Sequence, residues 1–370
     1  MPADGDGVAS SRAPRILFIG SPRWRKTWLP LQAVGATGLA LPIEEGWRAY
    51  PTTFRKALAW GLGEHPDVVL TDATPPAALL AALLARQIGV PSVYRIRGIG
   101  DEETIQLAHD AAELRHWDTA AKFAFVHPMY GLALRLTTRW VADCRATAER
   151  LRRRFPALSD RIGWAHTPCE VNGAPAPTEP LILSATNLHA PRKYGGLLRH
   201  WESLLHGLDA CPDVRVRICG DGLFRHAFTR ELARRHGSRR VSWVGHSPTF
   251  RQDLARAVCL LHLSDQDSYP SVVLEARAAG CPVIANDVGG VREMITDGVD
   301  GFILRDPLDL PDRMGRIVSD TALRARMAEA GRARVLRENS LEQIGREFLG
   351  EIGSARARGS KGGRGTCAAG

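Results

Sequence analysis

Long apolar runs, paired cysteines and aromatic residues are all scarce in this chain of 370 residues. No apolar stretch reaches the 18 or so residues that a membrane-spanning helix needs, so no such helix is expected. The opening residues, MPADGDGVASSRAP, are polar and lack the apolar core of a secretory signal, which points to the cytoplasm. The seven cysteines (Cys144, Cys169, Cys211, Cys219, Cys259, Cys281, Cys367) are scattered, odd in number and without a CxxC pair. Neither a disulfide framework nor a zinc site is indicated, and a reducing compartment fits. No RNA- or DNA-binding motif accompanies the positive charge, so nucleic acid is not an expected partner.

What is present is ordinary for a soluble globular chain: 44% hydrophobic and 24% charged residues, over a length that accommodates two domains. The net charge of +9 suggests anionic partners, a nucleotide-sugar or, by peripheral contact, an anionic membrane surface. Arg356, Arg358, Lys361 and Arg364 contribute four of those charges from a Gly-rich C-terminal stretch without acids, read as a disordered basic tail over 353–370.

Short β-rich runs alternate with longer helical patterns, the arrangement of parallel sheets with crossover helices. Arg15–Gly20, Asp67–Asp72, Ser92–Ile96 and Arg139–Cys144 read as strands of a first Rossmann-like unit over 15–178, preceded by a tail over 1–14. Its helices fall at Phe54–Leu62, Pro76–Ile88, Asp101–Leu114 and Ala146–Phe155. HTPCEVNGAPAPTEP, from His166, has no helical period and reads as a linker. A second unit, 179–340, carries strand candidates Leu181–Ala185, Arg215–Gly220, Val241–Gly245, Cys259–Leu263 and Pro282–Ala285. Helices fall at Ser271–Ala279, Leu308–Ser319 and Thr321–Asn339, and a last one over 341–352. The fold class is α/β, two doubly wound domains facing each other across a cleft.

The stretch DQDSYPSVVLEARAAGCPVIANDVGG, Asp265 to Gly290, is the most informative. Asp267 precedes Glu275 by eight residues, with a turn of Ser268, Tyr269 and Pro270 and then an apolar run between them. Pro270 suits a helix start, where its missing N–H costs nothing. The N–H groups of Ser271, Val272 and Val273 then point out of that start, which carries partial positive charge and binds phosphate readily. Backbone amides for an anion, flanked by two carboxylates for hydroxyls, match a sugar joined to a nucleoside diphosphate.

This segment resembles the acid-x7-acid signature of family 4 glycosyltransferases, retaining enzymes of the GT-B fold. Glu275, Ala276, Ala278, Gly280, Pro282, Val283 and Ile284 fall in the family's register, as does Asp287 to Glu293. The resemblance covers about Leu181 to Ile352 closely and Arg15 to Pro168 only as a pattern of elements. It implies transfer of a hexose from a nucleoside diphosphate sugar to an acceptor hydroxyl, with no cofactor and no essential metal. Glu275 would hold the ribose and Asp267 the donor sugar. Backbone amides of Tyr269, Pro270-led Ser271 and Val272, beside Ser268, would steady the diphosphate, and the leaving phosphate oxygen would act as base. The last helix would cross back onto the first domain.

In the loop after the fifth run, TNLHAPRKYGG, Lys193 lands on the family's diphosphate-clamping Lys, Asn187 stands where Arg is usual, and Arg192 is positioned to supply the missing charge. Gly220 and Gly222 match the family's Gly-Asp-Gly, and Gly245 its strand-end glycine beside the nucleobase. Asp267 replaces the usual Glu, and Arg97 the usual His on the acceptor side, where Arg23 in SPRWRKTW and Asp101 are further candidates. Asp265-Gln266-Asp267 spells DxD, but the spacing to Glu275 already assigns Asp267, so no metal is expected. Three alternatives stay open: a non-catalytic scaffold or partner subunit, a nucleotide-sugar epimerase, and a dinucleotide-dependent oxidoreductase. The last rests only on Gly98-Ile99-Gly100, with Glu103 where its fingerprint wants Gly.

Overall fold

The computed structural model describes residues 12–20, 25–43, 50–98, 100–170, 179–235 and 239–362. The first domain alternates β1 (Arg15–Gly20), α1 (Arg25–Ala33), β2 (Thr37–Pro42), α2 (Tyr50–Glu64), β3 (Val68–Thr71), α3 (Pro75–Ile88), β4 (Ser92–Ile96), α4 (Gly100–Glu113), α5 (Trp117–Leu136), β5 (Arg139–Ala142), α6 (Arg145–Arg154) and β6 (Ile162–Trp164). The second contains β7 (Leu181–Ala185), α7 (Pro191–Arg199), α8 (Trp201–Asp209), β8 (Arg215–Cys219), α9 (Arg225–Arg234), β9 (Val241–Gly245), α10 (Phe250–Arg256), β10 (Cys259–His262), α11 (Ser271–Ala278), β11 (Val283–Asn286), α12 (Val291–Met294), β12 (Phe302–Leu304), α13 (Leu310–Ser319), α14 (Thr321–Glu338) and α15 (Leu341–Gly362). Each domain has a six-stranded parallel sheet, in the orders β2-β1-β3-β4-β5-β6 and β12-β11-β10-β7-β8-β9.

The strands are short continuous apolar runs because helices cover both faces of each sheet. Successive side chains of β1 alternate between layers. Ile16 and Phe18 pack with Trp28, Leu31, Ile344 and Phe348, while Leu17 and Ile19 face Ala81 and Leu84 of α3. Trp28 stacks on Phe18 at 5.7 Å between ring centroids, so this tryptophan belongs to the core, not to the cleft.

Ile344, Phe348, Ile352 and Ala355 form one buried stripe of α15 at helical spacing, closing the outer face of the first sheet. Burying an aromatic such as Phe348 contributes roughly 1.5–3 kcal/mol. The expectation of a helix ending at residue 352, with disorder beyond, is corrected: α15 runs to Gly362. Arg356 pairs with Asp67 at 3.2 Å and Arg358 with Asp160 at 2.5 Å, both on the first domain. The basic residues that looked like a solvated tail have acidic partners there. Residues 363–370 lie outside the described set, as do 171–178 of the expected linker and most of the expected N-terminal tail.

Candidate active site

The carboxyl ends of both sheets face one another, the place where ligands bind in open α/β sheets. Between them lies a cavity of about 570 Å³. Lys26, Arg97 and Asp143 line it from the first domain. Asn187, Lys193, Gly220, His246, His262, Asp267 and Ser268 to Val272 line it from the second.

The second-domain wall is built around the β10–α11 connection. Gly289 has φ +54°, and a Cβ there would meet the Asp267 carbonyl oxygen at 1.9 Å, so only glycine lets this backbone pass so close. Gly290 N–H donates to the Ser268 carbonyl at 2.6 Å, fixing the turn. Pro270 is the N-cap of α11, and Ser271 and Val272 head the helix at the cavity wall. The Val273 amide instead donates to the Pro270 carbonyl at 3.0 Å, which removes it from the expected trio of outward N–H groups. Lys193, in the first turn of α7, places Nζ 2.9 Å from Asp267 Oδ1. His262, at the end of β10, is buried with Nε2 3.6 Å from Asp267 Oδ2. Burial pushes the His262 pKa down, Asp267 pulls it back up, and Lys193 lowers it further, so this imidazole is neutral.

The first-domain wall is a network of charged side chains. Arg97 donates to Asp72 Oδ2 at 2.9 Å, which also accepts from Thr27 Oγ1 at 2.9 Å. Arg95 is fully buried behind it, donating to Thr27, to the His166 carbonyl and to Thr167, with Phe348 under its guanidinium. Asp143 follows β5 directly, and its Oδ2 accepts from Ser268 Oγ at 2.5 Å across the cleft.

Several expected site residues lie elsewhere. Arg192 does not line the cavity; its guanidinium donates to Gln106 Oε1 of α4 at 3.2 Å, so it bridges the domains on the outside. Glu275 lines an adjoining cavity of about 480 Å³ and pairs with Arg251 at 3.0 Å. Lys26 and Ser271 line both cavities, and the Lys26 Nζ to Ser271 Oγ bond of 3.0 Å stands between them. Gly220 lines the main cavity, whereas Gly222 packs on Leu188 and Gly245 supports Gly220 from behind by accepting its N–H at 2.8 Å. Asn187 lines the cavity and accepts the His189 amide at 2.8 Å. The Tyr269 ring turns away, stacking on His166 at 4.9 Å. Asp265 pairs with Arg199 at 2.7 Å rather than joining Asp267, so the DxD carboxylates diverge. Among the described residues no cluster of three or more metal-ligating side chains occurs. Arg23 lies outside the described residues, and so does the side chain of Asp101, whose backbone begins α4. Asp143, His262 and Lys26 were not expected. An acid directly after the strand RWVA and a histidine ending CLLH were the available signals.

Residues 172–334 match the family described as "Glycosyl transferases group 1". The second domain belongs to this family. Among curated glycosyltransferases, the chain is 33% identical over 222 residues to a D-inositol 3-phosphate glycosyltransferase of Xylanimonas cellulosilytica, covering 52% of this chain and 51% of the relative. It is 25% identical over 169 residues to the N-acetyl-alpha-D-glucosaminyl L-malate synthase of Bacillus anthracis, covering 45% and 43%. The chain thus spans about half the length of the curated relatives it matches. Across the whole fold it superposes on the Anabaena glycosyltransferase-fold protein Alr3699/HepE in complex with UDP-glucose, with a TM-score of 0.66 at 16% identity, covering 92% of this chain and all of that one. The architecture is GT-B. No helix among the described residues is long and apolar enough to cross a membrane.

Proposed function

We propose that the chain is a retaining glycosyltransferase that moves a hexose from a nucleoside diphosphate sugar to a hydroxyl of a small anionic acceptor. The observation that carries this reading is the Lys193–Asp267 pair at 2.9 Å beside the head of α11, inside the interdomain cavity. A cation and two helix-start amides suit a diphosphate whose charge grows as the glycosidic bond breaks. Asp267, freed from Lys193 by that diphosphate, has a carboxylate oxygen for a sugar hydroxyl, with His262 behind it. The strand-end glycines and His246 leave room for a nucleobase, and Glu275 takes the ribose once nucleotide displaces the Lys26–Ser271 bond.

The anionic acceptor is supported by Lys26 and Arg97 on the opposite wall and by relatives named for inositol 3-phosphate and L-malate, both anions. Lys193 and α11 meet the diphosphate charge, so the reading needs no metal and no cofactor. The test is a thermal-shift panel of UDP, GDP, ADP and dTDP, followed by release of nucleotide from the matching sugar with and without an anionic polyol. A hundredfold excess over Kd stabilises the native state by about 2.7 kcal/mol, an easily read shift. No shift with any of the four nucleotides would sink the proposal.

A further inference from the structure

We propose that Asp143 takes the proton of the attacking acceptor hydroxyl, in place of the departing diphosphate. The assignment rests on the transferase reading above and deepens it.

Asp143 is buried, 4% exposed, at the carboxyl end of β5, and it lines the same cavity as Lys193 and Asp267. Its two oxygens have different surroundings. Oδ2 is fixed by Ser268 Oγ at 2.5 Å. Oδ1 is buried and has no hydrogen-bond partner among the described residues. A buried carboxylate oxygen without a partner is costly unless a ligand donates to it. The only groups that reach it are those entering the cavity, and the ligand group that donates to a carboxylate is a hydroxyl or an ammonium. An acceptor hydroxyl satisfies this.

The position also fits the stereochemistry. Ser268 belongs to the turn that leads into α11, where the diphosphate is proposed to sit. A base tied to that turn lies on the leaving-group side of the sugar, as retention requires. Cys144 Sγ donates to the Ser268 carbonyl at 3.6 Å, a second tie from the same first-domain turn. Because Asp143 and Ser268 come from opposite domains, the base is aimed only when the cleft is closed. Burial raises the Asp143 pKa, Ser268, Arg95 and Thr147 draw it back, and Asp267 raises it again, so the carboxylate is more basic than an exposed one.

The step balances without a further reactant. The bond from the anomeric carbon to the diphosphate oxygen breaks, with its electron pair leaving on the diphosphate. The acceptor oxygen bonds the same carbon, and its proton passes to Asp143 Oδ1. The proton returns to solvent when the cleft opens.

The experiment uses the full chain, a nucleotide-sugar chosen by the thermal-shift panel, and two acceptors that need no identification, water and glycerol. Asp143→Asn keeps the shape and the Ser268 contact, and Asp143→Ala leaves space. The expected result is a loss of at least fiftyfold in donor hydrolysis and glycerol transfer for both variants, donor Kd within twofold of the native chain, and partial recovery of Asp143→Ala by formate. A structural role would give no recovery by formate. A rate within threefold for Asp143→Asn returns the base role to the diphosphate and overturns the assignment, as does an equal loss of donor affinity. If the native chain binds the donor but neither hydrolyses nor transfers it, the transferase reading itself fails, which is visible before any variant is made, and the assignment falls with it.

Discussion

Across the cleft, the second-domain wall meets a ligand mostly with backbone and the first-domain wall mostly with side chains. On one side, Gly220, the α11 amides and the Gly289–Gly290 turn bring main chain to the cavity, and Lys193 and Asp267 supply the charge. On the other, Arg97, Lys26 and Asp143 reach in from three elements, held by Asp72, Arg95 and Ser268. A wall of main chain demands particular small or bent residues in an unbroken order. A wall of side chains demands only that distant residues converge. The first fixes the group common to all donors, the diphosphate, while the second is free to suit one acceptor.

The largest effect should come from the backbone wall's single free-standing cation. Lys193→Ala leaves the α11 amides in place but removes the charge facing the leaving group. Turnover should fall by about a hundredfold, close to the loss of one preorganised donor, with nucleotide Kd weakened less than tenfold. Steady-state rates beside a binding isotherm check this. A fall under fivefold would mean that the wall works by backbone alone.

The same contrast accounts for what the sequence made legible. β1, β4, β7 and β9 can be read to the residue, because RILFIG, SVYRI, LILSA and VSWVG are compact apolar runs between turns. β2, which holds Gly38 and Pro42, does not read as a strand. α5 exposes Trp117, Phe125 and Leu132 while burying Tyr130 and Leu134, so it is apolar on every side and shows no helical period. The segment from Asp265 to Gly290 was readable because the backbone wall is one contiguous stretch. Asp143 and Lys26 were not, since nothing in their local sequence states that they meet Ser268 and Ser271 from the other domain. Arg192 and Glu275 fit the pattern in register, yet competing partners, Gln106 and Arg251, draw them from the main cavity.

The two walls are joined by His166, and pH should test that joint. Its Nε2 lies 3.1 Å from Glu293 of α12 and its Nδ1 3.3 Å from Glu347 of α15. Burial alone would lower its pKa, but the two carboxylates raise it to about 9. Glu293, which also accepts the Arg145 and Ala146 amides, is itself held below the usual carboxylate range despite burial. A raised folded-state pKa gives stability that is full below about 6.5, the unfolded value, and lost as pH rises through about 9. The Glu293 contribution has the opposite sense and fades as pH falls. Melting temperature should therefore hold a plateau near neutrality and decline above pH 8, a loss on the order of 2–3 kcal/mol. His166→Gln should flatten the alkaline limb; an unchanged limb would show that the joint is carried by Tyr269 stacking and by Asn339, which donates to Thr167 O and Tyr269 OH.

A smaller effect is expected from Glu275. It reaches nucleotide only after the Lys26–Ser271 bond gives way, and it has Arg251 as a partner meanwhile. Glu275→Ala should weaken nucleotide binding by roughly tenfold, the lower end for a hydrogen bond to a charged group. Lys26→Ala should act in the opposite direction, opening the adjoining cavity and tightening nucleotide binding up to threefold. Calorimetry on both variants separates the cases, and an unchanged Kd in Glu275→Ala would leave the ribose to the backbone wall entirely.

The smallest effect should come from removing metal. A magnesium site commonly combines substrate phosphates with one or two carboxylates at octahedral geometry. Here the DxD carboxylates diverge, Asp265 toward Arg199 at 2.7 Å and Asp267 toward Lys193 at 2.9 Å, so each acid already faces a cation on α7. Sugar transfer should survive dialysis against EDTA within twofold, and Asp265→Asn should change the metal response no more than it changes the native rate. Complete loss with EDTA, restored by Mn²⁺ or Mg²⁺ and abolished in Asp265→Asn, would mean that Arg199 releases Asp265 when donor binds. The backbone wall would then be a metal site in its working state, and its contrast with the side-chain wall would have to be redrawn.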